Sequence, residues 1–237
     1  MRAAHEGVRA PLTETLQSSA SRRFRRKLEL VIAPYSEACG LLVLHPRVAE
    51  LWPEYLIAQH QIIRATVPLT RAALERARAL GDEDPVAAPL ARYLELHVDE
   101  ELGHDESLLG DLELLGSTRE AVLERMPSPA VASLVGVQYY WALHHHPIAV
   151  LGYIGVMEGY PPTEELVTTL AARTGFPREA FRTFSEHGEL DPGHRDHLDR
   201  TLDALPLTER HEQVIGAAAI ATVALATRAL EELLQER

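Results

Sequence analysis

Apolar residues in this chain recur three and four positions apart from near one end to the other, and runs of strict alternation are almost absent. That period puts side chains on one face of an α-helix, whereas a half-buried strand needs a period of two. The abundance of Ala, Leu, Glu and Arg, all good helix formers, points the same way. Breaks fall at His45-Pro46, Gly81 to Pro85, Gly116-Ser117, Met126 to Pro129, Tyr160-Pro161-Pro162, Gly175-Phe176-Pro177 and Leu205-Pro206. Ser117-Thr118-Arg119-Glu120 has capping-box spacing, and Glu164-Glu165 places acids in a first turn. No long linker and no internal repeat interrupts the pattern. The 237 residues therefore predict one all-α domain of about eight to ten helices joined by short connections. Within it, 1–45 reads as an N-terminal helical segment, 46–205 as the core and 206–237 as a C-terminal core helix.

Composition narrows the function. With 35 acidic against 23 basic residues the formal charge is −12, which speaks against a general nucleic-acid binder that needs a basic face for phosphates. The one basic cluster, Arg22, Arg23, Arg25, Arg26 and Lys27, reads as the solvated face of an early helix. Cys39 is the only cysteine, so an intrachain disulfide and a thiolate metal site are both excluded; a reducing cytoplasm fits, and Cys39 itself reads as a small buried hydrophobe. The N-terminus lacks the apolar core of a signal peptide, and the run IGAAAIATVALA (215–226) is too short to span a bilayer before it meets Arg228. A cytoplasmic protein that binds no membrane is the expectation.

The apolar stripes are interrupted in three places. From Leu90 to Leu115 the stepping runs Leu90, Leu94, His97, Glu101, His104, Leu108. A second stripe runs Ala180, Phe184, His187, Asp191, His194, Leu198, and a third runs Leu151, Ile154, Glu158. Burying carboxylates and imidazoles without partners costs several kcal/mol. Either a buried ion-pair network or a shared metal must satisfy them, and nitrogen and oxygen donors without sulfur suit iron or manganese and admit zinc. Helical bundles house such centres, with two Glu-x-x-His pairs in the ferritin-like case. Glu101-x-x-His104 supplies one pair, but His187-x-x-x-Asp191-x-x-His194 departs from the second. Pro192 disfavours helical geometry at Asp191, which predicts a joint there, with Asp191 as N-cap of a new helix. On another helix, His60 steps inward with Leu56, Ile63 and Val67. His144, His145 and His146 are consecutive and cannot share one helical face.

The segments HVDEELGHDESLLGDLELLG, LGYIGVMEGYPP and EHGELDPGHRDH resemble, in content and order, the haem-oxygenase-like diiron oxidases and oxygenases, the iron-containing redox enzymes. The resemblance covers roughly Pro46 to Leu205. It implies a haem-oxygenase-like bundle around two irons, with dioxygen as co-substrate. Glu101, His104, Glu158, His187, Asp191 and His194 would be the metal ligands, Glu158 as a bridging or terminal one. Some members carry a glutamate where this chain has His97, so His97 is expected to support a ligand or line the pocket rather than bind metal. His60, Arg64, His144 and Tyr153 are the other candidates for that supporting ring, with Arg64 paired to a substrate carboxylate. Tyr139, Tyr140 and Trp141 are candidates for an aromatic pocket wall.

The implied activity is O2-dependent oxidation of a small carboxylate-bearing metabolite, an amino acid or derivative first and a fatty acid second. N-oxygenation, oxidative C–C cleavage or decarboxylation, and desaturation all occur in the family, typically in biosynthesis. An external electron donor and a homodimer are compatible with it. Two alternatives are a ferritin-like iron-handling or peroxide-scavenging protein, and a thiamine-salvage-type hydrolase on the same fold with Cys39 as nucleophile.

Overall fold

The computed structural model describes residues 18–235 and is helical throughout, with short connections at every break named above. Residues 1–17, which include most of the stretch read for a signal peptide, and residues 236–237 lie outside the description. α1 (Ala20–Glu29) starts at Ser19, whose side chain accepts the Arg22 N–H, and is followed by α2 (Ala33–Leu44). α3 (Val48–Leu80) is a 33-residue rod that passes through Pro53 and Pro68 unbroken. It lies between α4 (Ala87–Glu101) and α7 (Pro129–His144) and also touches α5 (His104–Leu114). The remaining helices are α6 (Arg119–Glu124), α8 (Val150–Met157), α9 (Glu164–Thr174), α10 (Arg182–Ala204) and α11 (Glu209–Gln235).

Eleven α-helices among the described residues exceed the eight to ten expected from the sequence. The small α6 is capped by Thr118 within the capping-box stretch, whereas one addition arises because Leu90 to Leu115 is two helices. Leu102 is extended and Gly103 takes φ 92, a left-handed geometry that glycine adopts without the Cβ penalty. Glu101 therefore ends one helix and His104 begins the next.

The expected joint at Pro192 is absent, and this corrects the sequence reading. α10 runs continuously from Arg182 to Ala204, with Pro192 and Gly193 on its exposed face. Buried Thr183, Asp191 and Leu198 fix its inner face on both sides of the proline, so packing outweighs the local preference.

α11 is long and apolar enough, by length and composition, to cross a membrane, but 56% of its most apolar window is buried inside the protein. Its small residues pack against α7 and α8 as the central core helix. Contact with α8 is backbone to backbone: a Cβ on Gly152 would sit 2.2 Å from the Ile215 carbonyl oxygen. The basic cluster on α1 is also less solvated than its charge pattern suggests. Arg22, Arg26 and Lys27 are exposed, whereas Arg25 reaches inward to Asp199 at 2.9 Å and to the Gly155 carbonyl at 3.1 Å. Arg23 pairs with Glu212.

Candidate metal centre

Four segments converge in the core. His97 and Glu101 come from the last turns of α4, His104 from the start of α5, Glu158 from the C-terminal end of α8, and His187, Asp191 and His194 from α10. His97, Glu101 and Glu158 each offer a donor atom within 4.8 Å of the others, an arrangement able to hold a metal ion. On the other side of Glu101, His104 Nδ1 stands 3.5 Å from Glu101 Oε1, and the His104 and His187 rings are 4.8 Å apart. His194 Nδ1 lies 3.7 Å from Asp191 Oδ1. Glu101 is thus the carboxylate in contact with both halves.

The donor set fits a metal on a specific observation. His97 Nδ1 and Nε2, His104 Nδ1, Glu158 Oε2, Asp191 Oδ1 and His194 Nδ1 are all buried without a hydrogen-bond partner. Buried polar atoms are almost always satisfied, so this concentration of orphans in one place marks a missing partner. His97 has carboxylate oxygens at 3.6 Å (Glu158) and 3.8 Å (Glu100), too far for hydrogen bonds, and is 1% exposed. Its position inside the donor cluster makes it a candidate ligand as well as the supporting residue expected from the sequence.

Electrostatics describe the centre without a metal. Burial pushes the Glu158 carboxyl well above the usual carboxylate range, and the charges of Glu101 and Asp191 push it further. Burial acts on Glu101 in the same sense, but the adjacent His104 imidazole and the nearby histidine charges outweigh it, so Glu101 falls below the ordinary value. The Glu101 carboxylate 3.5 Å away raises His104, and the Asp191 carboxylate 3.7 Å away raises His194. A metal must displace the protons these groups hold. Fe(II) affinity is therefore expected to rise with pH through the range in which His104 and His194 titrate, and loading should acidify a weakly buffered solution. An affinity measured as flat from pH 6 to 8 would contradict this.

Several supporting residues escaped the sequence reading. Asp111 on α5 is 1% exposed and accepts the Thr183 N–H at 2.8 Å, capping α10 from the helix that carries His104. One turn on, His187 donates Nδ1–H to the Thr183 carbonyl at 2.8 Å, leaving Nε2 as the free donor toward the centre. Tyr93 stacks on His97, and His197 turns toward Tyr93 and Glu100. Tyr93, His97 and Glu100 are spaced four and three apart, which is the signal that was available. Asp111 carried none, because its partner lies 72 residues away.

Most of the other candidates lie away from the cavity. Arg64 is half-exposed, donates to the Leu123 carbonyl at 3.4 Å and does not line the cavity beside the centre. His144 is exposed at the end of α7 against Tyr140, because the α7 face turned to the core carries Leu134, Gln138 and Ala142 instead. Tyr139 and Trp141 pack on the core away from the cavity, and Tyr140 is 60% exposed. His60 is fully buried with neither ring nitrogen bonded, but it too lies outside the cavity lining. Tyr153 does line it, its hydroxyl 3.0 Å from Thr66 Oγ1.

A second group, Asp84, His146 and His211, also brings three donors within 4.8 Å, yet it does not suit a metal. His146 Nδ1 accepts the Ile148 N–H and His211 Nδ1 accepts the Thr208 N–H. Each neutral ring then carries its proton on Nε2, as the 2.9 Å contact of His146 Nε2 with Asp84 reflects. His187 has the opposite polarity, which is the difference between a hydrogen-bonded latch and a ligand.

The cavity that meets the centre has a volume of about 370 Å³. His97, Glu101, Glu158, His187 and Asp191 form one wall, and aliphatic and aromatic side chains form most of the rest. Cys39 is on that lining, but burial raises its thiol pKa despite a hydrogen bond to Tyr35, the reverse of an activated nucleophile.

Fold and donor set together define a helical bundle with a candidate carboxylate–histidine iron centre beside an apolar cavity. The iron-containing redox enzyme family matches residues 66–227, and the chain belongs to that family. Solved structures share the fold. A domain of unknown function with a heme oxygenase-like fold from Shewanella denitrificans OS217 superposes with a TM-score of 0.72 at 19% identity, covering 97% of this chain and 94% of its own. A TenA homolog from Pseudomonas syringae pv. tomato DC3000 gives 0.69 at 15% identity over 95% and 97%. Heme oxygenase from Leptospira interrogans gives 0.60 at 16% identity over 91% and 100%. No curated protein sequence matches the chain.

Proposed function

We propose that the protein is a non-haem diiron oxidase or oxygenase that uses O2 to oxidise a small, largely apolar organic molecule held in the cavity. The observation that carries this reading is the concentration of unpartnered, buried imidazole and carboxylate atoms on one wall of an apolar cavity. His97, His104, His187 and His194, with Glu101, Glu158 and Asp191, would hold the metals. Iron in such a site supplies dioxygen reduction coupled to hydrogen abstraction, oxygen insertion or C–C cleavage on an adjacent substrate.

This chain's own residues supply the surroundings. Thr183 orients His187 through its carbonyl, and Asp111 fixes Thr183 in turn. Tyr93 and Glu100 stand behind His97. Tyr153, its phenol raised by burial, stays protonated and holds Thr66 on the cavity wall. The apolar lining excludes water and places a substrate C–H or C–N bond beside the ligands. The lining contains no Lys or Arg, so a substrate carboxylate finds a cation only at the metal, which favours the fatty-acid-like reading over the amino-acid one.

The test is metal content followed by oxygen uptake. Anaerobic loading should give about two Fe per chain, as in di-iron carboxylate bundles, and air should then be consumed at the metal-loaded chain but not by His194→Ala. Uptake of many irons per chain would favour iron storage instead. Turnover that survives in Cys39→Ser would remove the hydrolase reading.

A further inference from the structure

The cavity has two chemically different ends, and α10 orders them. Phe184, His187 and Asp191 follow one another along its inner face, so Phe184 lies about 4.5 Å of helix rise from His187, away from Asp191. The Phe184 ring meets Trp52 at 5.1 Å and Tyr55 at 6.3 Å. Past them stand Tyr35 and Cys39, both on α2; the Tyr35 phenol is in hydrogen-bonding reach of the Tyr55 phenol and of the Cys39 thiol, and Cys39 is in electrostatic reach of Tyr55. Two phenols and a thiol thus gather at the end reached through Phe184, while the carboxylates and imidazoles occupy the other.

That polar end holds one donor without a partner. Trp52 is 2% exposed, it lines the cavity, and its Nε1–H has no hydrogen-bond partner. A buried indole N–H normally finds an acceptor. Tyr35 and Tyr55 are half-buried and line the same space. Burial raises both phenols, so they remain neutral donors and acceptors. The lining holds no Lys or Arg to balance an anion, and its carboxylates are all at the metal end, where they serve the centre.

We infer that Tyr35, Tyr55 and Trp52 recognise a neutral hydrogen-bonding group, such as a hydroxyl or carbonyl, on the tail of an apolar substrate whose other end lies at the metal ligands. The inference rests on the proposed oxidation reading and names its substrate class. At about 370 Å³ the space is at the small end of the usual range for ligand pockets, about 300–1,000 Å³, so body and tail belong to one compact molecule.

Trp52 itself reports on the end in question. The chain has two tryptophans, so a Trp141→Phe background leaves Trp52 as the sole indole emitter. Quenching of that emission is followed on the metal-free chain with 4-butylphenol, butylbenzene and 4-butylbenzoate as probes. The phenol is expected to bind about tenfold more tightly than butylbenzene, the factor a hydrogen bond of ordinary strength gives. Tyr55→Phe or Tyr35→Phe should erase most of that margin while leaving butylbenzene unchanged. Equal binding of phenol and hydrocarbon, an unchanged margin in both variants, binding by none of the probes, or tighter binding of the benzoate would each overturn the inference. No iron enters this measurement. A chain that ranks the probes as expected but takes up no iron would sink the oxidation reading alone, and the reverse pattern would sink the tail-recognition reading alone.

Discussion

Glu101→Ala is expected to cut the iron retained after anaerobic loading and dialysis from about two per chain to below one. Glu101 is the carboxylate that touches both halves of the centre, 3.5 Å from His104 and within the donor group of His97 and Glu158. Losing a residue that merely supports a ligand costs about 10–100-fold in metal affinity, and losing a shared ligand should cost more. The same substitution has a much smaller effect on the metal-free chain. Burial and then like-charge repulsion from Glu101 raise the Glu158 pKa, so removing Glu101 relieves that repulsion but also removes the carboxylate that pairs with His104; the two effects oppose each other, and the melting temperature of the metal-free variant should stay close to that of wild type. Metal analysis and thermal melts on one preparation check both halves. A variant that keeps two irons would show that the centre is not organised around Glu101. A variant that loses iron only because it has unfolded would show a lowered melting temperature in the metal-free state.

The second large effect concerns the scaffold. Gly152→Ala should lower the melting temperature by about 2–12 °C, from an overpacking cost of about 1–3 kcal/mol in a domain of this size. The added methyl would lie 2.2 Å from the Ile215 carbonyl oxygen and 2.9 Å from the Ala219 nitrogen, both backbone atoms that cannot rotate aside. α8 must then move off α11, carrying Tyr153 and Glu158 with it, so iron affinity should fall along with stability. Gly136→Ala is the control. Gly136 is an exposed helical position with open space around its would-be Cβ, and the change there should stabilise by about 0.5–1 kcal/mol. Equal melting temperatures for the two variants would refute the close-approach account.

The candidate donors were legible in the sequence because each breaks an otherwise apolar helical stripe. His97, Glu101, His104, Glu158, His187, Asp191 and His194 all come together for that reason, and a buried polar group at helical spacing is a local signal. The backbone around them was less legible. Both the Pro192 joint and the continuity of Leu90 to Leu115 were inferred from local preference. Packing on the inner face of α10 carried the helix through Pro192, while a single left-handed glycine, unremarkable in a row of letters, broke the chain at Gly103. Arg64 and His144 had suitable chemistry and unsuitable orientation: Arg64 lies mid-helix with its long side chain turned to the Leu123 carbonyl, and His144 lies at the last residue of α7, on the exposed side against Tyr140. Asp111 and the Tyr35–Tyr55 pair depend on partners in distant segments, which no window of sequence contains.

The separation of the four donor-bearing segments also bears on how the protein is made. At a synthesis rate of about 5–20 residues per second, roughly five to twenty seconds pass between the appearance of His97 and that of His194. During that interval the nascent chain offers Glu101 and His104 on two sides of a helix break, without the α10 residues that complete the set. In zinc fingers the metal drives folding of a short segment. Here the arrangement is reversed: the bundle has to close before the candidate donors meet, so a metal held by them would enter after translation and would register that folding has finished.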